Sequence, residues 1–429
     1  MKNLVVIFFF LLATSPFTSV AQDFIKITGK VVDSETDEPL AFSTISIKGK
    51  SIGVVSNFLG EFEFSFSDEY RTDTLQISML GYHAYTQVIS TVNEEQIIAL
   101  EENILVLEEI EISGEQEQLT AKEIVKRAKQ FMRKNSPSSP YQLDFFTRSH
   151  TKECGQYKML YEATFSLYGE GSQRDMNNPQ IIINEARQTK RVEYYHSALL
   201  RNYNRNLVKL LFEGNNLLSA QRAFRLDKNK YEIKNYTRID DQLAYVVKAK
   251  VEKGGYHSEH DIFHLYIDME SYAILKIEWE IIDTGKTWTA TPSSDSTWVI
   301  PTTHKKTWQF VEYNEKYYPK YVSTLFRGKI YYNGTNEEFC DSEFHTEMIV
   351  DKIHTENIGH PKGKTMDMDA SHELQLKPYN ATFWENYDLI KEFPVSQEIT
   401  DDLSKKVDLK TQFEQSFSEM GEYKSQISL

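Results

Sequence analysis

Residues 261–281, DIFHLYIDMESYAILKIEWEI, carry the pattern on which the reading of most of this chain turns. Apolar side chains fall at every second position: Phe263, Leu265 and Ile267 before a polar break, then Ala273, Leu275, Ile277, Trp279 and Ile281 after it. Successive side chains of a strand point to opposite faces, so each run predicts a strand with one apolar face. Asp268 and Ser271 mark the turn between them. The segment predicts an antiparallel hairpin that buries one side.

The same period recurs on either side of it. MLYEATFSL aligns Met159, Tyr161, Ala163, Phe165 and Leu167; LAYVVKAKV aligns Leu243, Tyr245, Val247, Ala249 and Val251; KYVSTLFRGKIYY aligns Val322, Thr324, Phe326, Ile330 and Tyr332. Ahead of these strands, TAKEIVKRAKQFMRKNSPSSPY reads as a helix. Thr120 and Glu123 form a capping box, and Ile124, Val125, Ala128, Phe131 and Met132 share one face until Pro137 ends the run. NLVKLLFEGNN (206–216) and TDDLSKKVDL (400–409) read as peripheral helices. Residues 119–429 are therefore expected to form a large curved antiparallel sheet or half-barrel packed on helices.

Residues 23–101 have a different texture. FIKITGKVVD, STISIKG, GVVSN, GEFEFSF, DTLQISMLGY, AYTQVIS and EQIIAL are short strands at regular spacing, which predicts a seven-stranded β-sandwich. Gly53 and Gly60 supply permissive backbone for tight connections, and Asn57 tolerates the left-handed region between them. Phe62, Phe64 and Phe66 then point into the core. The 25 Tyr and 25 Phe, against 18 Gly and 11 Pro, agree with a mainly β protein carrying a few helices. GKVVDSETDEPLAFSTISIKGKSIGVVSNFLGEFEFSF, followed by DTLQISMLGY, resembles the carboxypeptidase-regulatory-like domain, a transthyretin-like sandwich common in exported proteins of Bacteroidetes. The positions that carry the resemblance are Gly29, Pro39-Leu40, Ile45, Gly53, Asn57, Gly60, Phe62, Leu75, Ser78, Gly81 and Tyr82. Ala41-Phe42 stands where the family usually has a glycine. The family's sandwich has no catalytic residues. Residues 102–118 read as a linker. LYID leading through a turn into YAILKIE resembles the half-barrel of LolA-type periplasmic lipoprotein carriers, and also uncharacterised Bacteroidetes proteins that join the regulatory-like sandwich to such a domain.

A net charge of −15 makes nucleic acid and anionic membrane surfaces poor partners, because both are bound through Lys and Arg that release counterions. Residues 1–21 carry a Lys, an apolar run from Leu4 to Ala13 and small residues at Ser19 and Ala21, the layout of a secretory signal. The protein is thus expected in the periplasm or on the periplasmic face of the outer membrane, with no transmembrane helix. The two cysteines, Cys154 and Cys340, can pair in an oxidising compartment, although nothing in their spacing demands it.

No cofactor, metal or catalytic site is expected. His150 and Glu153 form H-x-x-E with His257 and His260 downstream, a spacing some zinc peptidases use, but the surrounding FFTRSHTKECGQY reads as a strand running into a turn. His260 and His264 on one strand face stand ~13 Å apart, too far to share an ion. No G-x-S-x-G elbow and no phosphate loop occurs. For a hydrolase acting on peptide or glycan, Glu162, Asp268 and Glu278 are the candidate carboxylates; a glycan-uptake accessory is a further alternative. The reading preferred for function is a non-catalytic envelope protein, its sandwich docking an envelope partner and its sheet holding a lipid or other hydrophobic ligand. The candidate cavity residues are Leu143, Phe145, Tyr161, Phe165, Tyr245, Val247, Leu275 and Ile277. The bland reading of the same residues is a sealed core beneath the helix.

Overall fold

The computed structural model describes residues 24–103, 119–171, 180–189, 222–252, 260–282, 297–332, 338–367, 375, 377–387 and 395–417, apart from residues 42, 51, 58, 80, 93, 94, 240 and 241. The chain divides after Glu101 into two units. The expected signal, most of the expected linker and the expected helix at 206–216 lie outside the described residues.

The first unit is a sandwich of seven strands: β1 Phe24–Asp33, β2 Thr44–Ile47, β3 Gly53–Val55, β4 Glu61–Ser67, β5 Thr74–Ser78, β6 Tyr85–Val88 and β7 Glu95–Leu100. One sheet has the order β4-β1-β7 and the other β3-β2-β5-β6. Phe62, Phe64 and Phe66 are buried with Ile27, Val31, Ile45, Leu75 and Ile77 in a single core, as their alternation predicts. The turn before β4 departs from expectation in one detail. Gly60 takes the left-handed conformation at φ +76°, where an added Cβ would lie 2.2 Å from the Val31 carbonyl oxygen. Asn57 keeps an ordinary φ and works through its side chain, whose Oδ1 accepts from the backbone N–H groups of Leu59 and Glu61 at 2.9 Å each.

The second unit opens with helix α1, Ala121–Asn135, whose Thr120/Glu123 capping box is formed as predicted. Ten strands follow: β8 Tyr141–Glu153, β9 Gln156–Gly169, β10 Gln180–Gln188, β11 Asn229–Ile239, β12 Gln242–Glu252, β13 His260–Asp268, β14 Ile274–Ile282, β15 Thr297–Tyr313, β16 Lys316–Tyr332 and β17 Glu338–His354. They form one antiparallel sheet in the order β10-β9-β8-β17-β16-β15-β14-β13-β12-β11. The chain enters the sheet at its third strand, runs to the near edge, restarts at the far one and returns until β17 lies beside β8. Helices α2 Ala381–Asn386 and α3 Gln397–Ser404, and a further helix at 409–417, complete the unit.

Register gives the sheet two chemically distinct faces. Ala186, Ala163, Thr147, Met348, Val322, Trp308, Ile277, Leu265, Val247 and Ile233 are successive cross-strand partners, an almost wholly apolar row across all ten strands. One residue along each strand, the row reads Arg187, Glu162, Arg148, Glu347, Ser323, Thr307, Glu278, His264, Lys248 and Glu232, polar throughout. Alternation by single residues forces this separation, since neighbouring rows belong to opposite faces. The turn after β13 is held by Asp268, whose Oδ1 accepts from the Ser271 amide and hydroxyl at 2.6 Å each.

The structure connects Cys154 and Cys340 by a disulfide across a sequence separation of 186 residues. Pairing of Glu153 with Ser342 brings the β8–β9 turn to the start of β17, which the spacing of the cysteines does not reveal.

Candidate functional site

The apolar face packs on α1. Ile124, Val125 and Ala128 are buried there, in one cluster with Leu143, Phe145, Tyr161, Phe165, Val247 and Ile277. Phe145 and Phe165 stack with ring centroids 5.2 Å apart. Tyr245 is partly buried against the cluster. Leu275 stands apart from it. The β13–β14 register slips so that Tyr266 pairs with Lys276 and Ile267 with Ile274, leaving Leu275 at a bulge. The bulge flips the alternation toward the turn, so Ile274 takes the core position assigned to Leu275 by strict period. Leu275 is buried, but not in that cluster.

Among the described residues α1 shares the covering of this face with Ala223 and Phe224, which are buried in the same cluster. At ~1.5 Å per residue α1 is ~22 Å long, whereas ten strands spaced ~4.8 Å apart span ~45 Å before curvature. Away from α1 the apolar face changes character. A second row on this face runs Gln188, Tyr161, Ser149, Thr346, Thr324, Lys306, Trp279, Phe263, Ala249 and Tyr231, hydroxyl-rich on one side and aromatic on the other. The Ser149 and Thr346 hydroxyls satisfy each other at 2.6 Å. Where the two halves meet, the Lys306 ammonium lies 5.4 Å from the centroid of the Trp279 ring. Trp279 stacks between Phe263 at 5.6 Å and Trp308 at 6.3 Å. His304, next along this face, sits 5.9 Å from Trp279 and 5.8 Å from Phe326.

This corner contains polar atoms that packing alone leaves unsatisfied. Trp279 Nε1 and both ring nitrogens of His304 are buried, and among the described residues none has a hydrogen-bond partner. Each such atom costs about 1–3 kcal/mol unless something pairs with it. Burial, and secondarily the Lys306 charge, push the His304 pKa down to about 3, so the imidazole is neutral. Trp279, His304 and Lys306 retain partial exposure, unlike Phe145 and Phe165. Alternation in the sequence takes Trp279 as a core residue and leaves His304 and Lys306 unremarked. HKKTWQF holds the missed signal, because its period of two places His304 and Lys306 on the same face as Trp308.

The opposite face is a charge ladder covered by C-terminal helices. Glu162 accepts from Arg148 Nε at 2.6 Å on one oxygen and from Arg187 Nε at 2.7 Å on the other. The Arg187 guanidinium lies 4.4 Å from the Trp384 ring and 4.8 Å from that of Phe413. Burial would raise the Glu162 pKa, but the two arginines outweigh it and hold the group below the usual carboxylate range. Glu347, beyond Arg148, has no hydrogen-bond partner for either oxygen among the described residues. Burial pushes its pKa up to about 8 against the pull of Arg148, with the Glu162 charge adding to the rise.

The three carboxylates considered for hydrolysis are engaged elsewhere. Glu162 is locked between arginines, Asp268 caps a turn, and Glu278 accepts from Lys276 at 2.6 Å and from the Tyr266 hydroxyl at 3.0 Å. Ser166, Asp144 and His354 do approach one another, but the Ser166 hydroxyl donates to Asp144 at 2.7 Å and His354 contacts the same carboxylate at 2.8 Å. The carboxylate stands between them, so this is not the order a nucleophile relay requires. His150 and Glu153 project to opposite faces of β8, as an odd spacing on a strand dictates, and His257 lies outside the described residues. Among the described residues no group of three or more His, Cys, Asp or Glu converges on a metal position, and no helix is long and apolar enough to cross a membrane.

Residues 27–112 match the CarboxypepD_reg-like domain family. This agrees with the resemblance carried by Gly29, Gly60, Phe62 and Gly81. The remaining part is similar in structure to a LolA superfamily protein of Nitrosomonas europaea (11% identity, 56% of this chain and 96% of that one, TM-score 0.25). A putative outer membrane lipoprotein-sorting protein domain of Vibrio parahaemolyticus is also similar (10% identity, 56% and 95%, TM-score 0.25), as is lipovitellin (8% identity, 58% and 28%, TM-score 0.25). These likenesses assign neither ligand nor activity to this chain. No curated protein matches it.

Proposed function

We propose that the apolar face of the ten-stranded sheet holds an acyl chain or another hydrophobic ligand, in an exported protein of the cell envelope that performs no catalytic step. The observation that carries this reading is the corner at Trp279. An apolar and aromatic surface with a few convergent polar atoms, partly open and internally unsatisfied, is the composition of a small-molecule site rather than of a sealed hydrocarbon core. The ligand enters along Trp279 and Trp308. Its inner wall is formed by Leu143, Phe145, Tyr161, Phe165, Tyr245, Val247 and Ile277, with Leu275 behind the bulge. The N-terminal sandwich serves to dock an envelope partner, and the leader-like residues 1–21 support a periplasmic address or the periplasmic face of the outer membrane.

Full burial of Phe145 and Phe165 favours a second reading, in which this half of the sheet is a closed core and the protein is a spacer. Native mass spectrometry of gently extracted protein, followed by titration of delipidated protein with cis-parinaric acid, separates the two. Co-purified lipid and saturable uptake support ligand binding. Absence of both overturns it.

A further inference from the structure

We propose that two copies of this chain pair through the outer edge of β7, antiparallel about a two-fold axis at Ile97, so that their three-stranded β4-β1-β7 sheets join edge to edge. This pairing lies beyond ligand binding and does not depend on it. Backbone parity shows which groups of β7 are open. The Leu100 carbonyl accepts from the Ser34 N–H at 3.0 Å, and the Gln96 carbonyl oxygen faces Gly29, where an added Cβ would lie 2.5 Å from it. Positions 96, 98 and 100 therefore direct their backbone groups to β1, and alternation turns those of Glu95, Ile97 and Ala99 to the other side. Just beyond them the Glu101 carbonyl accepts from the His83 N–H at 2.8 Å, which closes the edge. The open stretch is thus 95–99, with Ile97 at its centre.

Short length, charge, bulges and covering segments are the means by which a sheet edge avoids pairing, and the other edges among the described residues use them. β4 carries Glu61 and Glu63, the latter paired with Lys26 at 2.8 Å. β3 and β6 are only three and four residues long. On β10 the Ile181 carbonyl accepts from the Met366 N–H at 2.7 Å, and β11 sets Glu232 and Lys234 beside a bulge. β7 has none of these guards: it reads EQIIAL, with its one charge at the start, and follows β1 without a shift of register. Ile97 is 75% exposed, more than any other large hydrophobic side chain among the described residues. A second copy fits this edge by symmetry. An axis at Ile97 pairs the N–H and C=O groups of all three open positions at once, about six backbone hydrogen bonds. It also lays the two Ile97 side chains against each other on one face and sets position 95 opposite position 99, so that no two Glu95 meet. Any other axis leaves part of the stretch unpaired.

Sedimentation velocity of the full chain over about 1 to 100 μM is expected to show a monomer–dimer equilibrium, because so short an edge buries less than a standard interface and holds two copies only at micromolar concentration. Ile97→Lys sets two ammonium groups against each other at the axis and is expected to weaken association at least about tenfold. Ile97→Cys supplies a positive test. Hydrogen-bonded antiparallel partners have Cα atoms ~5.5 Å apart, within the reach of a disulfide. The two natural cysteines are bonded to each other, so mild oxidation is expected to link two copies through the new thiol. Val88→Cys, at a position 45% exposed on β6, is the control and is expected to remain unlinked under the same conditions. Circular dichroism melts establish that each variant is folded. A parent that stays monomeric through this range overturns the proposal. So does a dimer that folded Ile97→Lys retains, or equal cross-linking of the two cysteine variants.

Discussion

Replacing Glu347 by glutamine is expected to stabilise the protein at alkaline pH while changing little under acid conditions. Glu347 is fully buried on β17, between Arg148 on β8 and Ser323 on β16, and neither carboxylate oxygen has a hydrogen-bond partner among the described residues. Arg148 gives it limited help, because that guanidinium is committed to Glu162. The folded pKa is thus pushed up to about 8 from an ordinary 4.5. The folded state keeps a proton that the unfolded chain releases near the ordinary value, so the stability this proton contributes is full below that value and is lost as pH rises to about 8. At about 1.4 kcal/mol per unit, the gap sets a ceiling of roughly 5 kcal/mol. Glutamine keeps the shape and cannot ionise. The Glu347→Gln variant should therefore exceed its parent by a few kcal/mol at about pH 8.5 and by less than about 1 kcal/mol at about pH 5. Urea unfolding followed by tryptophan fluorescence is the appropriate assay, since all 5 Trp lie in the second unit and the sandwich is silent. A variant whose stability tracks the parent in parallel across this range refutes the argument.

The same geometry sets three further outcomes. Reduction of Cys154–Cys340, or their joint replacement by serine, releases a constraint spanning 186 residues and should cost about 2–5 kcal/mol, read as a lower urea midpoint in the same fluorescence assay. Arg148→Met strands Glu162 with a single arginine and removes the cation that pulls the Glu347 pKa down; it should cost about 3–5 kcal/mol near neutral pH, and a change under about 1 kcal/mol would show the ladder to be energetically idle. Gly60→Ala forces a Cβ to 2.2 Å from the Val31 carbonyl oxygen at a positive φ, so the sandwich should lose more than about 1 kcal/mol. That loss should appear in the circular dichroism melt while the tryptophan signal of the second unit is unchanged.

Much of the architecture is legible along the chain because it is local. A period of two in Phe62, Phe64 and Phe66 and in Phe263, Leu265 and Ile267, a capping box at Thr120 and Glu123, and a turn at Asp268 and Ser271 each specify an element within a few residues of themselves. The same logic fails where a single residue breaks the count. The bulge at Leu275 reverses which side chains face the core, and strict alternation gives no warning of it. Asn57 is expected from its residue type to serve through its backbone, but it holds the turn through its side-chain oxygen. Of the candidate cavity residues, six do meet in one cluster with α1, since each lies well inside a regular run. Whether a ligand parts them depends on binding, not on periodicity.

Side chains no more than a few positions apart are enough to establish a mainly β chain, a regulatory-like sandwich at its start and one apolar face on each later strand. Which strands lie side by side is settled in three dimensions alone. That choice joins β17 to β8, closes the Cys154–Cys340 bond, aligns Arg187, Glu162, Arg148 and Glu347 into a buried ladder, and brings Lys306, Trp279 and His304 to one corner. Register between strands far apart in the chain is a cooperative property of the whole sheet, and no local pattern encodes it.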